Sequence, residues 1–306
     1  MTVTWHDAAM ADPGAAPRPV EPWPVEPPPE GPLSREGRAL LDDDRPEEAV
    51  DPLRRAVAAG EPGAPDLLAR AYLDSGDWPG CIEWLGPYVE QGHVEFAGRL
   101  GVAYAQLGDV DNAEEALRLA LTHGEAVAAN DLAILLRDTD RMAEAVHVLR
   151  HAAEGGDEQA PANLVALYLE AGDLITAAET AERYADESRP DTIVALGDVR
   201  AAESRPDAAE DAYRRAIQLG GVRAHSAYGQ FLLAAYGDAA GAEDQFRLAW
   251  RHNEPGWPYQ LGRFLIDDGR GEEAREFLEV AAGWGDRDAS DLLNEIDGVD
   301  PADDGT

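Results

Sequence analysis

The sequence predicts an all-α protein, a solenoid of about eight helix-turn-helix repeats, and three observations lead there. First, a small residue recurs at Ala49, Cys81, Ala113, Ala145, Ala177, Ala209, Ala242 and Ala274, in steps of 32 residues with a single step of 33. Second, apolar residues keep helical spacing from about Leu33 to Leu293, and no segment shows the sustained alternation of a strand. Third, Gly and Asp punctuate the chain at the same period, where helices would end and restart.

Within each unit the second helix is the easier to read. Four residues after each small residue stands Leu53, Leu85, Leu117, Leu149, Ala181, Tyr213, Phe246 or Leu278, one turn further along the same face. Three residues on come Ala56, Tyr88, Ala120, Ala152, Tyr184, Ala216, Ala249 and Ala281. The first helix is marked by Leu68, Leu100, Leu132, Leu164, Leu196, Tyr228 and Leu261. Most are followed by a small residue, such as Ala69, Gly101, Gly197, Gly229 or Gly262, that lets two helices approach closely.

Turns within the units read Gly76-Asp77, Gly108-Asp109, Gly172-Asp173 and Gly237-Asp238, a left-handed stop followed by an N-cap. Pro46, Pro79 and Pro206 fall in the first turn of the second helix, where a missing N–H is harmless. That helix should end at Gly60, Gly92, Gly124, Gly156, Gly220, Asn253 and Gly285, with Ser188 as the exception. Pro52 and Gly86-Pro87 fall inside second helices, so these are expected to bend or split, since an interior Pro costs a helix about 3 kcal/mol. No single pair can bury its apolar stripe alone, so the units should stack into a solenoid with one continuous core.

In these features the chain resembles the tetratricopeptide-repeat family. The matching residues are the Leu-Gly or Leu-Ala pair, the aromatic three or four positions later (Tyr72, Tyr104, Tyr168), the Gly-Asp turn, and then Ala, Leu and Ala. The units are shorter than the usual ~34 residues, and the family's Trp and terminal Pro are mostly absent. The resemblance implies a right-handed α-α superhelical solenoid. It covers eight repeats at 30–286; composition and patterning add a Pro-rich segment at 1–29 that favours extended or disordered chain, an amphipathic capping helix at 287–297 and an acidic, disordered tail at 298–306.

Composition narrows the function. The chain has 306 residues and a formal charge of -36, and all 25 of its basic residues are Arg. Such a surface repels nucleic acid and anionic membranes. It fits either a soluble, salt-tolerant protein or one drawn to a basic partner. No run approaches the ~20 apolar residues of a membrane span, and Met1 to Pro19 do not read as a secretory signal, so the cytoplasm is the expected compartment. The lone Cys81 lies at the small-residue core position and suits neither a disulfide nor a structural zinc site.

No catalytic, cofactor or metal site stands out. His147 and His151 have the i, i+4 spacing of zinc ligands, but Val148 replaces the Glu of a metalloprotease helix. Gly269, Gly271 and Ala274 spell a G-x-G-x-x-A string preceded by a helix where a dinucleotide site needs a strand. Asp42-Asp43-Asp44 and Asp267-Asp268 lack the spacing and central Gly of a calcium loop.

The resemblance implies that partners lie along a concave groove lined by the first helices. One groove position per unit gives Arg38, Arg70, Val102, Ile134, Ala166, Asp198, Gln230 and Arg263. A turn earlier come Ser34, Asp66, Gly98, Asn130, Ala162, Val194, Ser226 and Tyr259. From these, Arg38, Arg70, Asn130, Gln230, Tyr259 and Arg263 are the candidate partner-binding residues. The arginines suit an anionic or carboxylate-bearing ligand, or else they pair with neighbouring acids. Trp250, Trp257, Tyr259 and Trp284 form either an anchor pocket or packing between repeats. The Pro-rich head around Trp23 is a spacer or a docking segment. The expected function is a non-enzymatic scaffold that binds a protein or peptide segment, with oligomeric state left open. The alternative is an acidic, nucleic-acid-mimicking decoy that occupies a basic protein.

Overall fold

The computed structural model describes residues 30–283 and 286–297, so the head, the tail, Trp284 and Gly285 lie outside the described residues. Eight helix pairs follow one another. The first two are α1 (Pro32–Asp42) with α2 (Pro46–Ala58), and α3 (Ala64–Ser75) with α4 (Trp78–Glu90). A 3-10 turn at Val94–Phe96 precedes α5 (Ala97–Gln106) with α6 (Val110–Thr122). Next come α7 (Ala128–Asp138) with α8 (Met142–Glu154), and α9 (Ala160–Glu170) with α10 (Leu174–Tyr184). They are followed by α11 (Pro190–Ala202) with α12 (Pro206–Leu219), and α13 (Ala224–Tyr236) with α14 (Ala239–Arg251). The last pair is α15 (Trp257–Asp267) with α16 (Gly271–Gly283), and α17 (Arg287–Asp297) stands alone. Among the described residues there is no strand, only an isolated bridge between Asp186 and Arg189.

Each helix packs on its neighbours in the chain, and the first helices also pack on one another in the series α1, α3, α5, α7, α9, α11 and α13. Consecutive second helices show no comparable packing. The first helices therefore form the tight inner side of a helical-repeat solenoid and the second helices its outer side.

Two turn chemistries build the units. Gly76, Gly108, Gly172 and Gly237 take left-handed φ, and the following Asp77, Asp109, Asp173 and Asp238 accept a hydrogen bond from the backbone N–H three residues on. The other four units use Asp44, Asp140, Ser204 or Gly269 in the left-handed conformation, followed by Arg45, Arg141, Arg205 or Arg270. At the ends of second helices Gly60, Gly92, Gly124, Gly156, Gly220 and Asn253 are left-handed, as the sequence suggests. At the exception, α10 stops at Tyr184, and the Asp186 carboxylate accepts from Ser188 N and Oγ at 2.9 and 2.8 Å. A side chain there does what a left-handed glycine does elsewhere.

The split expected at the interior prolines does not occur: α2 and α4 run unbroken through Pro52 and Pro87. The carbonyls that these prolines cannot engage belong to Glu48 and Glu83, both exposed, so water can take the lost bond.

Nor is the interior one even seam. It divides into four zones, the first two joined through Val89 and Tyr104 and the second and third through Tyr168. The smallest, around α9 to α11, holds Ala162, Val165, Ala177, Ala181, Ala195 and Val199. Its alanines are short, and Tyr168 is the one residue it shares with a larger zone.

Candidate functional site

The groove is built from the exposed faces of the first helices, and the expected residues sit on it unequally. Arg38 donates to Glu30 at 2.7 Å, Arg70 to Asp74 at 3.0 Å, and Arg263 to Asp267 at 3.4 Å. At both ends of the array the arginine charge is thus shared with an acid from its own surroundings. Gln230 donates to Gln260 of the next unit. Asn130 is buried, and its Oδ1 accepts from Asn163 Nδ2 at 2.7 Å, while its own Nδ2 has no hydrogen-bond partner. Tyr259 is half-buried against the C-terminal core and beside Arg263. The six residues are spread over five units and do not converge on one pocket.

Two clefts lie in the groove. One, of about 560 Å3, lies between α11 and α13 and is lined by Asp198, Ala201, Ala227, Gln230, Phe231 and Ala234 among others. Asp198 accepts the Tyr213 hydroxyl at 2.7 Å, and burial raises its pKa in spite of that bond. The second cleft, of about 480 Å3, lies over α5 and α7, with Val102 and Ile134 as apolar wall and Asp131 and Asp138 as acids. Asp286 and Asp288, at the start of α17, line it from the far side, so the array curls back on its own middle. The Asp131 carboxyl is pushed up by burial and then by Glu125.

A carboxylate that sequence reading missed recurs at the groove edge. Glu254, itself buried, accepts from His225 N, Ser226 N and Ser226 Oγ at 2.7 to 2.9 Å, tying the loop after α14 to the start of α13. Glu61 does the same for Leu33 and Ser34 in the first unit. Glu125 reaches the equivalent place at Gly98, but with no serine there its Oε2 is buried without a hydrogen-bond partner. The signal in the sequence is an acid just after the left-handed residue paired with a serine near the start of the unit's first helix.

The outer side carries a second recurring device. Arg141 donates to Glu114 of the preceding unit at 2.5 Å and to Glu144 at 2.7 Å, with Arg118 closing the group on Glu114 at 2.7 Å. Four units on, Arg270, Glu243, Glu273 and Arg247 repeat the arrangement at 2.6 to 2.8 Å.

Trp250 stacks on Trp257 at 5.7 Å and meets Phe277 edge-on at 5.5 Å, so these aromatics pack between repeats, with Trp250 still 43% exposed. His147 and His151 line a cleft on the outer side, and among the described residues no group of three or more His, Cys, Asp or Glu is placed to hold a metal ion. Cys81 is buried, its thiol pushed up to about 12 by that burial. No helix among the described residues is long and apolar enough to cross a membrane.

A tetratricopeptide repeat model matches residues 94–122. Among solved structures the chain is similar to the APC/C hetero-tetramer Cut9-Hcn1, at 14% identity and a TM-score of 0.47, covering 86% of this chain and 55% of that one. It is also similar to Pseudomonas aeruginosa pilF, at 16% identity and a TM-score of 0.41, covering 68% of this chain and 97% of that one. Over 80 residues it is 38% identical to a TPR repeat-containing protein of Pseudomonas aeruginosa, a match spanning 24% of this chain and 76% of the relative. With that identity over three quarters of a repeat protein, the chain belongs to the tetratricopeptide-repeat family.

Proposed function

We propose that the chain is a non-enzymatic cytoplasmic scaffold that holds a segment of a partner protein in the groove of its repeat array. Proteins of this family generally act through protein–protein contacts. The observation that carries the reading is the pair of clefts on the inner side, where the first helices of successive units present one surface position each. A segment lying along the groove can touch many units at once, the recognition mode a solenoid favours.

The test is a photo-crosslinking residue placed at Ile134 or Gln230 in the groove, with Glu144 on the outer side as control. Partner adducts from the groove positions support the reading; adducts from Glu144 alone overturn it. A pull-down with Arg38, Arg70, Tyr259 and Arg263 changed to Ala addresses the ends of the groove: unaltered recovery removes those residues from the binding face.

The decoy reading predicts competition with DNA and a steep loss of affinity with salt. The arginine clusters on the outer side speak for the groove, because they break up the unbroken negative face that imitation of a phosphate backbone requires.

A further inference from the structure

Charge is distributed along the groove in a way that goes beyond the sign of the whole chain. At the ends, the recurring arginines already have acids: Arg38 has Glu30, Arg70 has Asp74 and Arg263 has Asp267. In the five units between them the same position holds Val102, Ile134, Ala166, Asp198 and Gln230, with no cation. Neither central cleft has an arginine in its wall.

Asp198 is the focus. Tyr213 engages its Oδ1, and no hydrogen bond among the described residues engages Oδ2. Arg223, exposed at the start of α13, acts on this carboxylate only through space. The surrounding wall is apolar and small, with Ala201, Ala227, Ala234 and Ala235 beside the nearly buried Phe231. Methyl walls let a long side chain lay its aliphatic stem along them while its charged head meets the carboxylate. A carboxylate in such a cleft is costly when bare, and a guanidinium or ammonium group is what relieves that cost. The cleft over α5 and α7 repeats the pattern, with Val102 and Ile134 in its wall beside Asp131, Asp138, Asp286 and Asp288.

We propose that the central groove receives a cationic amphipathic segment of another protein, with an arginine or lysine on Asp198 and apolar side chains on the alanine wall. This rests on the groove reading above and names the partner's chemistry. The ligand preference is opposite in sign to that suggested by the groove arginines in the sequence, because the structure shows those arginines already engaged.

The test is selection of a random peptide library on the full chain, followed by affinity measurements on a matched pair of amphipathic peptides that share an apolar face and carry either arginine or glutamate on the other. The expected result is selection of peptides with net positive charge, binding of the arginine peptide alone, and roughly tenfold weaker binding to Asp198→Asn, a loss of about 1.4 kcal/mol. Asparagine still accepts the Tyr213 hydroxyl, so this variant keeps the local fold. Ala234→Trp fills the cleft and should abolish binding; should it fail to fold, the exposed Gln230→Trp serves in its place. Selected peptides that are acidic or neutral, yet displaced by the cleft-filling variant, overturn the cationic preference and leave the groove reading standing. Peptides insensitive to both substitutions, or no selected peptides at all, overturn both.

Discussion

The Cβ that Gly197 lacks would lie 2.7 Å from the ring of Tyr213, and the same ring carries its hydroxyl to within 2.7 Å of Asp198 in the groove. Packing and site meet in that pair of residues. The glycine lets the tyrosine pass under α11 from the second helix and reach the inner face. The same relation holds where Gly101 faces Leu117, Gly229 faces Phe246 and Gly262 faces Leu278. In the fifth unit the sizes are exchanged, with Val165 at the glycine's position and Ala181 at the large residue's. Gly197→Ala should therefore overpack the interface and destabilise the chain by about 1–3 kcal/mol. Urea unfolding checks the loss, and a change in tyrosine absorbance would report the broken Tyr213–Asp198 bond.

Much of this was legible beforehand because glycine and small residues mark backbone needs that few other residues meet. The four Gly-Asp turns were read correctly for that reason. The turns at Asp44, Asp140 and Ser204 are harder to see, because these residues take the left-handed conformation without glycine, whereas Gly269 marks the turn of the eighth unit. The arginines of these turns sit at helix starts, where the dipole disfavours a cation. Glu48, Glu144 and Glu273 compensate Arg45, Arg141 and Arg270. Groove charge was only half legible: the i, i+4 spacing of Arg70 with Asp74 and of Arg263 with Asp267 allows the pairing with neighbouring acids that the structure shows, but the one-dimensional pattern does not choose between that pairing and a bound anion.

The two outer-side clusters make acid stability predictable in sign. Hydrogen bonds from Arg141 hold the Glu114 pKa below the usual carboxylate value, and Arg270 does the same for Glu243. A depressed folded pKa gives stability that is present above the unfolded value of about 4.3 and lost as pH falls through the folded one. Replacing both Arg141 and Arg270 by Gln should lower the urea midpoint near neutral pH, with the difference from the parent chain shrinking below pH 4 and at high salt. Asp198 runs the other way. Its folded pKa is raised by burial, so its stabilising contribution is present at low pH and lost as pH rises through the folded value. Asp198→Asn should accordingly be more stable than the parent at neutral pH, and the advantage should vanish in acid. An unfolding series across pH on both variants reads the two opposite slopes.

Glu125 presents a repairable defect. Where Ser226 and Ser34 give Glu254 and Glu61 a hydroxyl, Gly98 gives Glu125 none, and Oε2 stays buried without a donor. A Cβ at Gly98 would meet the carboxylate at 2.6 to 2.8 Å, a contact that the end of a flexible side chain can relieve by moving back. Gly98→Ser should stabilise the chain by up to about 1 kcal/mol, from the new bond and from a better helix former. Ser226→Ala should do the reverse, costing about 1–3 kcal/mol by leaving buried Glu254 short of a donor. Thermal melts of the two variants should move in opposite directions; a shared direction would discard the idea that the serine and the acid work as a pair.

The fifth unit should be where the array opens first. Its second helix, α10, has 11 residues against 13 or 14 in the other second helices, and it ends on an aspartate turn in place of a left-handed glycine. Ala177 and Ala181 are the residues that α10 contributes to the buried interior, in the smallest of the four core zones. Stability in a solenoid is close to a sum of unit and interface contributions, so the unit with the least buried apolar surface sets the weakest joint. Native-state hydrogen exchange should find amides in α9 and α10 opening at lower free energy than those in α6 or α12. Ala181→Leu alone should not correct this, because Val165 occupies the space that glycine leaves open in the sixth unit. Combined with Val165→Gly, the leucine restores the size pairing seen at Gly101 and Leu117, and protection across α9 and α10 should rise towards that of the neighbouring units.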